Sequence, residues 1–169
     1  DLLESTEYDL TIDVQNTIDG VNQTTEITTN SNDYLFFFGF TDEVFVSPAG
    51  DGNIDNRLDP VVYDDLDGNN LPIGLSTDWE TECGEETTSG TFRVVLKYQA
   101  GSKTETSDVS VGTTEFDITW DVNVNEDPDA PPCENEEEII TDVVLTFTPV
   151  DGGTVVTAAA QDPDGEGPL

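Results

Sequence analysis

The chain has 169 residues, with 38 acidic side chains against four basic ones and no histidine, giving a formal charge of −34 at pH 7. That balance excludes nucleic acid and anionic membrane surfaces as electrostatic partners, because both are held by basic patches. Without histidine the usual general base and the main nitrogen ligand of zinc are also missing, while 34% apolar residues suffice for one core in a single domain.

Tyr8, Leu10, Ile12 and Val14 alternate with Asp9, Thr11, Asp13 and Gln15, the period of a half-buried strand. Residues 1–16, led by Leu2 and Leu3, are therefore an amphipathic segment that a neighbouring copy's sheet could take up as a donated strand. Asn22-Gln23-Thr24 is a glycosylation acceptor pattern on an expected surface turn, and Thr24–Thr28 reads as a short strand. From Tyr34 to Phe40 both faces are apolar: Tyr34, Phe36, Phe38 and Phe40 point one way, Leu35 and Phe37 the other. One face of a sandwich strand lies in the core, so the second needs cover from the chain itself or from another subunit.

Val44–Val46 and Val61–Tyr63 are further short strands. Between Ser47 and Gly90 the sequence turns to Asp, Asn, Gly and Pro; this stretch is too long for an ordinary connection and reads as an acidic loop insertion, 47–90. Within it Asp51, Asn53, Asp55 and Asp59 offer oxygen ligands in a glycine-containing loop, which suits Ca²⁺. The spacing is similar to the first three ligand positions of EF-hand and dockerin loops. It departs from them at Asn56, where those loops carry glycine, and at Val62, which excludes a true EF-hand. Asp65, Asp67 and Asn69 form a weaker cluster, and Asp-Gly and Asn-Gly pairs are also ordinary turn chemistry.

Phe92–Tyr98, Phe116–Val124 and Ile139–Phe147 alternate cleanly, with shorter strands expected at Glu105–Val111 and Thr154–Ala158. Turns at Gly101, Gly112 and Gly152 make the C-terminal half a meander, ending in an acidic tail at 161–169. Arg93 and Lys97 fall on the polar face of one meander strand and Asp117 and Asp121 on that of another, so opposite charges across or diagonal to each other would select register. The expected fold is all-β: a single two-sheet antiparallel β-sandwich, jelly-roll or Ig-like, of eight to ten strands with the acidic insertion.

Cys83 and Cys133 lie in polar loops and not in apolar strands. A disulfide closing that loop of about 50 residues would stabilise by roughly 4 kcal/mol and suits an oxidising, extracellular setting. The sequence starts at Asp1 and contains no Met, as expected of a secreted chain after signal-peptide removal. No stretch approaches the roughly 20 apolar residues of a spanning helix. G-x-S-x-G, H-E-x-x-H, C-x-x-C and glycine-rich phosphate loops are all absent, so a non-enzymatic role is expected.

Carboxylates replace lysine almost completely, and this composition resembles that of proteins from salt-saturating archaea. The resemblance implies a secreted surface protein of a halophilic archaeon, working where screening has shrunk to roughly 3 Å at molar salt. The expected function is an extracellular structural subunit that polymerises with itself into a filament, pilus-like fibre or tubule by β-strand addition. In habit this resembles archaeal strand-exchange filaments. The joints would be Leu10, Ile12 and Val14 of the donated strand and the aromatics Phe36, Phe37, Phe38 and Phe40. The alternatives are a secreted calcium- or carbohydrate-binding module facing a cell-surface glycan, and a spike or decoration protein of a haloarchaeal virus.

Overall fold

A computed structural model describes residues 1–16, 22–83 and 87–128, together with the backbone of two strands at 142–147 and 156–161. The protein is mostly β and sandwich-like. It divides into two compact units, Asp1–Pro131 and Pro132–Leu169.

The first unit contains β1 (Leu2–Leu3), β2 (Glu7–Thr11), a short helix α1 (Gln23–Thr29), β3 (Tyr34–Phe40), β4 (Phe45–Ser47), β5 (Val62–Tyr63), β6 (Ser76–Thr81), β7 (Thr88–Tyr98) and β8 (Thr113–Asn125). One sheet runs β1-β8-β7-β3; the other runs β2-β6-β4, with β5 also paired to β6. All pairs are antiparallel except β1 with β8, which run parallel through Leu2↔Val124 and Leu3↔Asn125. The second unit contains β9 (Asp142–Phe147) and β10 (Val156–Gln161), an antiparallel pair. Of the expected meander, the β7–β8 and β9–β10 pairings form.

The core lies between the two sheets of the first unit. Trp79 of β6 sits at its centre, with ring centroids 5.5 Å from Phe38, 5.4 Å from Phe40, 5.0 Å from Phe45 and 5.0 Å from Phe92. Its indole N–H donates to Thr77 Oγ1 at 2.8 Å, which satisfies the one polar atom of the ring.

Four expectations are corrected. The segment 47–90 is not a loop insertion, because it supplies β6, the middle strand of the second sheet. Thr24–Thr28 is helical: Asn22 Oδ1 caps α1 by accepting from Thr25 N, and Thr28 and Thr29 donate back to the Thr24 and Thr25 carbonyls. That local bonding outweighs the β-branched preference of the segment. Glu105–Val111 is a run of turns folded around buried Gln99, whose Nε2 donates to the Asp108 and Val111 carbonyls. Finally, the aromatic strand β3 is buried on both faces by the chain itself. Phe36, Phe38 and Phe40 enter the inter-sheet core, whereas Leu35 and Phe37 pack with Val95 beneath Ile54, Tyr63 and Val109. No face of β3 is left for a second subunit.

Candidate functional site: an open cleft between two sheet edges

The two edges of the β1-β8-β7-β3 sheet are treated very differently. Along the outer edge of β3, the 47–90 segment satisfies the backbone: Phe36 N–H donates to the Ile73 carbonyl, Phe40 N–H to the Asp51 carbonyl, and Phe38 N–H to Asn53 Oδ1 at 3.0 Å. Gly52, at φ +89°, permits this approach, since a Cβ there would collide with the Phe38 carbonyl. Tyr63 locks the arrangement by accepting from Asn53 Nδ2 and donating to the Phe36 carbonyl. Burial pushes the Tyr63 phenol up to about 12, against the lowering effects of Asn53 and of the Arg57 guanidinium over its ring.

Among the described residues the outer edge of β8 has no such cover. Among the described residues it is paired only at Val124 and Asn125, by the two residues of β1. No other described strand pairs with the rest of that edge. Facing it across the sandwich is the outer edge of β2, likewise without a neighbouring strand among the described residues. Between the two edges the interior opens as a cleft of about 800 Å³. One wall carries Tyr8, Leu10, Ile12 and Val14, the other Phe116, Ile118, Trp120 and Val122, with Trp79 and Phe92 deeper in. Ile118 and Trp120 alternate with Asp117, Thr119 and Asp121 and so lie in the core-facing row of β8. They are nevertheless 43% and 49% exposed, with no strand opposite them among the described residues. The cleft's carboxylates are Asp9, Asp13 and Asp121. Hydrogen bonds from Thr24, Gln15 and Asn22 hold Asp13 below the usual carboxylate range.

The N-terminal residues expected to be donated are engaged within their own chain, β1 on β8 and β2 on β6. Leu10, Ile12 and Val14 are half-buried in the cleft wall. Phe36, Phe37, Phe38 and Phe40 are core residues. The calcium-type ligands are not gathered into a site. Asn53 is fully buried with its oxygen committed to the Phe38 amide, Asp51 and Asp55 are exposed, and Asp59 accepts from Asn56. In the second cluster Asp65 accepts from the Gly74 and Leu75 amides, and Asp67 from those of Asn69 and Leu71. Among the described residues no group of three or more acidic or Cys side chains is placed to hold a metal. Asn22 is exposed, with its amide donating to Asp13. Cys133 lies outside the described residues, and so do 162–169 of the acidic tail.

Alternation in β2 and β8 placed the cleft-lining residues on their inward faces. That two inward faces would meet no third strand could not be read from either one alone. The chain matches no protein-family model, no curated protein and no solved structure.

Proposed function

We propose that this protein is an extracellular structural subunit that assembles with copies of itself by β-strand addition, forming a filament, pilus-like fibre or tubule in high salt. One observation carries the reading. The edge of β8 that no described strand beyond β1 pairs with runs beside an apolar cleft, and in strand addition the backbone supplies hydrogen bonds while alternate side chains fill a groove. An exposed strand edge is a pairing template that monomeric proteins blunt with proline, bulges or covering loops. Here the β3 edge is covered by residues 51–73, and among the described residues most of the β8 edge has no paired strand.

The extreme acidity fits this use. Anions crowded on every subunit oppose association in dilute buffer. At molar salt that opposition is screened to within roughly 3 Å, and apolar burial decides. The cleft's walls are mainly aliphatic and aromatic, which suits the alternate apolar side chains of an added strand. Negative-stain imaging and light scattering at about 3 M salt should show polymers that dissociate on dilution; uniform monomers at high concentration in brine would defeat the reading.

A further inference from the structure

The β8–β2 cleft has no covering strand among the described residues, and we infer that the β9–β10 hairpin of one copy fills the cleft of the next. This rests on the assembly reading and names its donor. The register pairs Val143 with Ala160, Leu145 with Ala158, and Phe147 with Val156. Because residues two apart share a face, one face of the hairpin consists of apolar residue types throughout. An isolated two-stranded hairpin is marginal in water and needs a surface to cover that face. β9 and β10 pair only with each other among the described residues.

Charge points to the same segment. Asp9, Asp13 and Asp121 flank the cleft, so an acid-bearing strand entering it would meet like charges. In a chain with 38 acids, residues 143–160 contain a single ionisable side chain, Asp151, which lies outside both strands in the sequence. The size is also right. A strand of six residues spans roughly 20 Å, shorter than the unpaired run of β8 from Thr113 to Asn123. Because the donor and acceptor surfaces differ, the contact is head to tail, which propagates into a filament when the rotation between copies does not close.

The test uses full-length chains in molar salt, with an acceptor variant, Trp120→Asp, and a donor variant, Leu145→Asp. Ala158→Asp serves as a second donor variant if the first misfolds, and near-UV circular dichroism reports the Trp79 core in each. Wild type is expected to polymerise and each variant alone to stay monomeric at 18.3 kDa. An equimolar mixture of acceptor and donor variants should form one-to-one heterodimers, because one intact joint is restored and cannot propagate. If both folded donor variants polymerise like wild type, the hairpin is not the donor, although the assembly reading survives. Donor variants that are monomeric but form no heterodimer on mixing also overturn the inference. Monomeric wild type overturns both.

Discussion

All four basic side chains of this protein are spent on internal ties. Arg57 lies over the Tyr63 ring, 5.8 Å from its centroid. Lys97 is buried and donates to Thr114 Oγ1 at 2.8 Å. Arg93 makes a two-point contact with Asp117, as expected from their diagonal placement on β7 and β8. Lys103 reaches Asp67 Oδ2 at 2.8 Å and the Ser31 carbonyl at 3.0 Å, with both charged side chains essentially inaccessible to solvent. The two ion pairs should behave oppositely. Arg93–Asp117 is about two-fifths exposed, so Arg93→Ala should cost under about 1 kcal/mol, and the loss should vanish in molar salt. Lys103–Asp67 is shielded from counterions. Burial opposes the Asp67 charge, but the hydrogen bonds from Lys103 and from the Leu71 and Asn69 amides prevail and lower its pKa. Asp67→Asn would strand a buried ammonium and should cost about 3–5 kcal/mol. Urea titrations of both variants at low and high salt would separate these cases, and equal salt sensitivity would contradict them. Tyr63 supplies a pH signature. Its folded pKa of about 12 lies above the unfolded value near 10, so its contribution is complete below pH 10 and is lost as pH rises through about 12. One phenolate should therefore appear only with alkaline unfolding, and Tyr63→Phe should remove that late absorbance step.

At the scale of elements, β6 shows what hydrophobic alternation can and cannot convey. Its inward residues are Thr77, Trp79 and Thr81, all buried, so a count of apolar positions finds one tryptophan in a polar stretch. The threonines are acceptable inside because their hydroxyls are bonded: Thr77 Oγ1 accepts from Trp79, while Thr81 Oγ1 donates to the Leu3 carbonyl and accepts from Thr6 N–H. Strands with aliphatic or aromatic inward faces, such as β2, β7 and β8, were legible in the sequence, as was the all-β class. β6 was not, and neither was α1, whose two turns depend on a cap and threonine back-bonding and not on a repeating apolar stripe. The cover over Leu35 and Phe37 was equally illegible, since it depends on residues brought from Ile54, Tyr63 and Val109 by the fold. Trp79→Ala should be the most damaging change in β6, because four aromatic rings surround that site. A loss of about 3–5 kcal/mol is expected for truncating so large a core aromatic. A denaturation midpoint close to wild type would mean that Trp79 does not join the two sheets.

For the whole molecule, the question is how a chain of charge −34 stays folded, and the outer face of the β2-β6-β4 sheet shows where it is most vulnerable. Register sets Glu7 opposite Glu80 and Asp9 opposite Asp78, and Asp64, the residue after β5, lies beside Asp78. Like charges directly across a pair of strands destabilise it. Hydrogen bonding with Asp64, burial and the charges of Asp64 and Asp9 all raise the Asp78 pKa. The sign is opposite to that of Asp67. A raised carboxyl pKa means that the fold favours the protonated form, so this contribution is intact below the unfolded value and is lost as pH rises through the folded one. Counterions weaken this like-charge ladder by screening. Asp78→Asn should therefore raise the melting temperature in dilute buffer, where the screening length is long, and leave it nearly unchanged at about 1 M salt, where that length is roughly 3 Å. The same substitution should flatten the dependence of stability on pH across the carboxylate range. Wild type should unfold as salt is withdrawn, with Asp78→Asn tolerating lower salt before it does. An equal gain for Asp78→Asn at every ionic strength would place the cause in packing or hydrogen bonding, and the requirement for brine would need another origin.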